Sequence, residues 1–185
     1  MATICDNKEQ ILYTVAGALA LNPNASMADL AKAANVSRVS LFRNFKNKDN
    51  IIQIIVRECK NNHVYIRENF LQADEDWKQA LTNLIEHHVK YRNAVLFVNT
   101  RPFTEMITSD EWNKLMQDYA DFMQRGKDTG FLQSNLTAFE LTAAFVGIVS
   151  GIIQISLYYE VLNKEAVIHT IYTAFMGGAQ KPLDE

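Results

Sequence analysis

The sequence predicts an all-α protein, on three observations. Glycine and proline are scarce, 7 and 3 in 185 residues, far below the needs of a turn-rich β chain. Apolar residues recur at i, i+3, i+4 and i+7 along most of the chain, the spacing that builds one apolar helix face. No stretch keeps the strict alternation of a half-buried strand, and no internal repeat is present. Hydrophobic residues make up 48% and charged residues 21%, the balance of a globular chain rather than a disordered one. That length is enough for a sizeable core.

The first helix is expected over about residues 8–21, where Ile11, Leu12, Val15, Ala16, Leu19 and Ala20 form the stripe. Asn22-Pro23-Asn24 ends it, because proline cannot continue the hydrogen-bond ladder. Ser26 caps a second helix, with Asp29 three residues on, a short relative of the capping box. Met27, Leu30, Ala31 and Ala34 make its stripe. Asn35, which tolerates a left-handed turn, closes it. Ser37 caps a third helix over residues 38–44, with Val36 placed to staple onto Leu41. Its inward set is expected to be Leu41, Phe42 and Phe45. Its outward set is Arg38, Val39, Ser40, Arg43 and Asn44.

Asn47 caps a fourth helix over residues 48–70, broken by the polar stretch 72–76. Helical patterns follow at 77–99, 110–127, 136–159 and 164–176. Arg101-Pro102 breaks the first two of these apart, a short helix fits near 103–107, and Gly130 marks a C-terminal cap. The total expected is eight or nine helices.

Charge is uneven along the chain. Residues 1–60 hold eight Lys or Arg against five Asp or Glu, an excess of +3, and the remainder carries −6. A mildly basic first third on an acidic body fits nucleic-acid binding by one end only. The two cysteines, Cys5 and Cys59, supply neither a disulfide scaffold nor a four-cysteine zinc site, and fit a reducing compartment. Adjacent His87 and His88 point about 100° apart on a helix and do not share an ion. His63 and His169 stand alone. No nucleophile, base and orienting group recur in a defensible pattern, so no catalytic residue, metal or cofactor is expected. The segment before the first helix lacks the basic start of a signal peptide.

The second and third helices are short and joined by about three residues, 35–37, which is helix-turn-helix spacing. The first of the pair braces the second, whose outer face can enter a major groove. That face needs hydrogen-bond donors near its N-terminus, and Arg38, Ser40, Arg43 and Asn44 supply them. Lys48 opens the next helix, where a cation opposes the helix dipole. A phosphate at that spot reverses the objection; alternatively Asp49 offsets the lysine and both are solvated.

Residues 8–56 resemble the DNA-binding domain of the TetR family of bacterial transcriptional regulators. The resemblance rests on Ile11, Ala16, Ser26, Leu30 and Ala31, then on the run from Val36 to Phe45, then on Lys48 and Ile51. It covers about a quarter of the chain. It implies an N-terminal three-helix DNA-binding domain over residues 1–47. A C-terminal helical domain over residues 48–185 would bind a ligand and dimerise. It also implies DNA contacts at Ser26, Ser37, Arg38, Ser40 and Lys48, with Val39, Phe42, Arg43 and Asn44 beside them. The chain departs from the family at three of these positions: Val39 replaces a usual glycine, Phe42 a usual tyrosine, and Asn44 a frequent histidine. Val39 faces the groove, where it can meet a thymine methyl. Phe42 keeps the packing of a tyrosine but loses the hydroxyl that reaches a phosphate.

In the body, Tyr91, Phe97, Phe103, Met106, Trp112, Met116, Tyr119 and Phe122 suit the wall of an adaptable apolar pocket for an unknown small-molecule effector; plain core packing is the alternative. Glu86, Glu105, Asp118 and Asp121 either receive a cationic ligand or line solvated helix faces. Residues 141–159 carry no charge, long enough for a membrane span. Thr142, Ser150, Gln154 and Ser156 and the lack of flanking Lys or Arg argue against one. A homodimer interface is expected instead, with Gly147 and Gly151 allowing close approach and Phe145, Ile148, Ile152 and Ile155 supplying apolar area. The alternative is a central core helix. The functional expectation is a cytoplasmic, non-enzymatic, ligand-responsive regulator, most simply a repressor, bound as a homodimer to a palindromic operator in double-stranded DNA. An all-α small-molecule enzyme or carrier, and a helix-turn-helix adaptor for a protein partner, stand as alternatives.

Overall fold

The computed structural model describes residues 4–72, 76–132, 135–159 and 162–179, and no strand occurs among them. The helices are α1 (Ile4–Leu21), α2 (Met27–Ala33), α3 (Arg38–Phe45), α4 (Lys48–Ile66), α5 (Trp77–Lys90), α6 (Arg92–Phe97), α7 (Arg101–Met106), α8 (Ser109–Asp128), α9 (Ala138–Tyr159) and α10 (Lys164–Ala179). Two elements differ from the sequence expectation. The fourth helix does not stay α to Phe70: it ends at Ile66 and continues as a π-helical segment, Arg67–Leu71. The stretch expected as one helix over 77–99 breaks at Tyr91 into α5 and α6.

The chain forms two compact units. One comprises the residues up to Asn62 together with Tyr91–Ile107; the other comprises His63–Lys90 and the residues from Thr108 onward. In the first unit, α1 packs along α6 and against α2, and α2 packs against α3. Leu12, Val15, Ala16 and Leu19 of α1, Leu30 and Ala31 of α2, and Leu41 and Phe45 of α3 are buried. A Cβ at Gly17 would lie 2.7 Å from the Asn93 side-chain amide, so a larger residue there would have to displace that amide where α1 packs along α6.

The second unit is built on α5, α8, α9 and α10, with α8 packed on α9 and α10 packed on both α9 and α5. Its centre is aromatic. Trp77 stacks on Phe122 with ring centroids 5.2 Å apart, and its indole N–H donates to the Phe122 carbonyl at 2.8 Å. Gly126 lets that indole sit against α8, where a Cβ would lie 2.5 Å from the ring. Arg125 donates to the Leu71 carbonyl, satisfying the end of the π-helical segment, while its guanidinium lies over the Phe122 ring. Thr108 and Glu111 form a reciprocal capping box at the start of α8. Gly130 adopts φ +79 just past the end of α8, as its sequence position leads one to expect.

Candidate nucleic-acid interface

The turn between α2 and α3 is set by local hydrogen bonds. At the start of α2 the Asp29 N–H donates to the Ser26 hydroxyl, and the Ser26 N–H and O–H both donate to the Asp29 carboxylate. Those bonds hold the Asp29 carboxyl below the usual carboxylate range. At the other end Asn35 takes φ 52, the Val36 N–H bonds back to the Ala31 carbonyl, and the Asn35 N–H to the Lys32 carbonyl. This is the paired bonding of a Schellman turn. Ser37 then caps α3, accepting from the Ser40 N–H at 3.0 Å. The two serines therefore differ. The Ser26 O–H is committed to Asp29, whereas Ser37 uses only a lone pair and can still donate outward.

Helix α3 buries two residues, Leu41 and Phe45. Arg38, Arg43 and Asn44 are exposed, and Ser40 is half-buried. Val39 is 76% exposed. Phe42, expected inward with Leu41 and Phe45, is 62% exposed, and this corrects the sequence reading. The two buried positions are four apart and define a narrow stripe, and Phe42 falls at its edge. The Asn44 amide donates to the Ser40 carbonyl, so one of its two hydrogens is spent within the helix.

Lys48 is half-buried at the start of α4, and its ammonium donates to the Pro23 carbonyl at 2.7 Å. That bond ties the turn after α1 to the start of α4. It leaves two ammonium hydrogens for another acceptor. Asn50 also anchors this corner, donating to the Phe45 carbonyl at the end of α3, and the Lys8 ammonium lies over the Phe45 ring. Sequence reasoning assigned no role to Asn50 or to the Pro23 carbonyl. Asn50 sits in an ordinary first-turn position, and a bond spanning 25 residues leaves no local trace.

The pocket candidates divide evenly between the two units. In the first, Phe97 and Phe103 are buried, Tyr91 meets Tyr13 edge to face, and Met106 is 39% exposed. In the second, Trp112 and Met116 are half-buried, while Tyr119 and Phe122 are buried. Tyr119 belongs to a polar cluster the sequence did not reveal. Its hydroxyl lies 2.9 Å from His88 Nε2, whose Nδ1 lies 2.7 Å from the Leu84 carbonyl. His63 Nε2 lies 3.0 Å from the Asp118 carboxylate and stacks on the Tyr119 ring. His63, which looked isolated in sequence, is thus a paired group, and Asp118 is neither free nor fully solvated. Burial pushes the His87 and His88 imidazoles down to about 4 and lowers His63, against the opposing pull of Asp118. Glu105 pairs with Arg101 and Asp121 accepts from Gln117, both on exposed faces, and Glu86 is exposed.

The interface candidates on α9 also separate. Phe145 is wholly buried against His88, Tyr119 and Phe175, so it belongs to the core and not to an outward face. Gly147 and Gly151 are exposed, with open space where a Cβ would stand. Ile148 and Ile152 are half-buried and Ile155 is 51% exposed. Among the described residues α9 is the one helix long and apolar enough to cross a membrane by length and composition, and 33% of its most apolar stretch is buried within the chain.

A short helix braced by its neighbour, capped by Ser37 and bearing arginines on its outer face, has the arrangement of a helix-turn-helix, whose second helix is shaped to enter a DNA major groove. Residues 23–54 match the bacterial regulatory proteins of the tetR family. Over 188 aligned positions the chain is 23% identical to the HTH-type transcriptional regulator NfxB of Pseudomonas aeruginosa, covering 97% of this chain and 98% of that one. Among solved structures it shares the fold of the TetR-family regulator PfmR from Thermus thermophilus, with a TM-score of 0.63, 15% identity and full coverage of both chains. It shares it equally with the TetR-like regulator LfrR from Mycobacterium smegmatis, solved with proflavine, at a TM-score of 0.63 and 16% identity over 96% of this chain and 99% of that one. The chain is thus similar to TetR-family regulators in its helix-turn-helix, over residues 23–54, and in its fold.

Proposed function

We propose that the chain is a ligand-responsive repressor that binds a palindromic operator as a homodimer, in the cytoplasm and not at a membrane, without a cofactor or catalytic step. The observation that carries this reading is the makeup of α3. It commits only Leu41 and Phe45 to the interior and turns two arginines outward. In this reading Arg38 reads a base edge with Arg43 and Asn44 beside it, and Ser37 and Lys48 hold the phosphate backbone; the exposure of Arg38, Arg43 and Asn44 supports it. Ser26 is the weakest of the DNA contacts, because Asp29 already occupies its hydroxyl hydrogen.

The dimer reading rests on α9, where Gly147, Ile148, Gly151, Ile152 and Ile155 offer an apolar surface with room for a second helix. The ligand reading rests on the aromatic and methionine side chains of the second unit, Trp112, Met116, Tyr119 and Phe122, and on LfrR, which was solved with proflavine. In this reading residues 1–47 read the operator and residues 48–185 bind effector and partner. The effector binds more tightly to a dimer whose two reading helices no longer match the operator; without that difference in affinity it shifts nothing.

Selection of bound duplexes from a random-sequence pool, at stated salt, tests this directly. The expected product is a palindrome whose half-sites lie about 34–36 Å apart, one helical turn. Recovery of unrelated sequences only, together with a monomer in sedimentation at micromolar concentration, would sink it. A library screen for compounds that release the selected duplex then tests the effector.

A further inference from the structure

We infer that Val39 and Phe42 form an apolar reading ridge that packs on the C5-methyl groups of thymines in the operator. The inference rests on the DNA-binding reading above and deepens it. Both side chains are largely in water, at 76% and 62% exposure, three positions apart on one helix and therefore neighbours on its surface. A single exposed apolar residue is ordinary, but a valine and a phenylalanine adjoining on one face of a short helix make an apolar patch that gains by being covered. Their setting identifies the cover. Arg38 and Arg43 border them and α3 contains no acidic residue, which suits a polyanion rather than the apolar groove of a protein.

The major groove then narrows the choice of base. Guanine, adenine and cytosine present donors and acceptors there, and an apolar side chain pressed on them strips water without replacing the hydrogen bonds. Thymine alone presents a methyl group. Hydrogen-bond readout on α3 falls chiefly to the two arginines, since the Asn44 amide is partly spent on the Ser40 carbonyl. Operator preference thus divides into polar positions under Arg38 and Arg43 and methyl positions under Val39 and Phe42.

The test replaces each thymine of the selected duplex singly by deoxyuridine, which removes the methyl and keeps every hydrogen-bonding group. The full-length chain should lose about fourfold in affinity at each contacted thymine, the worth of one buried methyl group. Val39→Ala should bring the loss below about twofold at one of those positions, and Phe42→Ala at another. Arg38→Ala should leave both methyl effects intact. Because Val39 and Phe42 are exposed, their variants should keep the helicity and thermal midpoint of the parent. Sequence-specific binding that is indifferent to every uracil substitution overturns this inference and leaves the DNA reading standing. Absence of any specific binding overturns both.

Discussion

Helices α3 and α9 both leave apolar side chains in water, and they do so by different means. In α3 the exposed pair Val39 and Phe42 sits among arginines on a short helix with a closely specified cap. In α9 an uncharged run of nineteen residues, 141–159, has only 33% of its most apolar stretch buried among the described residues. The first is a local departure from an otherwise amphipathic helix and suits a polar, charged partner. The second is an excess of apolar length with small residues set into it, and suits another helix. Exposure alone is therefore a poor guide to the partner; the charge and side-chain size around it decide.

The largest effect should come from treating the two faces of α9 differently. Phe145→Ala should cost about 3–5 kcal/mol, since it opens a cavity between α9, α5, α8 and α10. Gly151→Arg and Ile155→Arg place a charge on the outward face and should leave the helix content intact while shifting the protein to monomers in sedimentation. If Gly151→Arg and Ile155→Arg remain dimeric, the outward face is not the interface. The corresponding contrast on α3 is stability without assembly. Leu41→Ala should cost about 2–5 kcal/mol, while Phe42→Ala should fall within about 0.5 kcal/mol of the parent in denaturant unfolding.

Next in size is a pH effect from the second unit, with no counterpart on α3. His88 is held neutral by burial, at about 4 against 6.5 in the unfolded chain. A lowered folded value means that the unfolded state binds the proton first. The stability is therefore complete above about pH 6.5 and drains away as pH falls toward 4. The loss from His88 should be about 2–3 kcal/mol, with His87 and His63 adding in the same direction. Denaturation midpoints between pH 7 and 4 measure it. His88→Gln should flatten much of the slope; an unchanged slope would assign it to other groups.

The two regions were not equally legible in the sequence. The helix-turn-helix could be read because its determinants act within a few residues: Ser26 with Asp29, Ser37 with Ser40, and Asn35 in the left-handed turn. The buried stripe of Leu30, Ala31, Leu41 and Phe45 follows from periodicity, but Phe42 lies at the edge of that stripe, where spacing cannot choose a side. The break at Tyr91 carries neither proline nor glycine. The π-helical segment after Ile66 changes the hydrogen-bond register without any change in composition. The His63–Asp118 and His88–Tyr119 pairs join residues 55 and 31 positions apart and exist only once the helices pack. Phe145 and Ile155 look alike in a uniformly apolar helix, and packing alone assigns one inward and the other outward.

A smaller effect separates base reading from backbone holding within the DNA-binding region. Arg38 is exposed on α3, so Arg38→Ala should cost about 1–3 kcal/mol on the selected duplex and relax preference at one position per half-site. Equal weakening on selected and scrambled duplexes would move Arg38 from a base to a phosphate.

The smallest effect is expected at Lys48, and it has two parts that can be separated. Its ammonium already donates to the Pro23 carbonyl, which fixes the corner where α1 turns toward α2. Its remaining hydrogens are available to a phosphate. If Lys48 holds a phosphate, Lys48→Ala should weaken selected and scrambled duplexes alike. It should also reduce the dependence of log affinity on log salt by about 0.9 for each phosphate no longer neutralised. Lys48→Met keeps most of the aliphatic stem and removes both hydrogen bonding and charge, so it should show the same salt slope with less loss of thermal stability than alanine. If the lysine serves only the Pro23 carbonyl, both variants should lower the thermal midpoint while the salt slope stays that of the parent. A titration at four or more salt concentrations, run beside thermal unfolding of the same preparations, distinguishes the two.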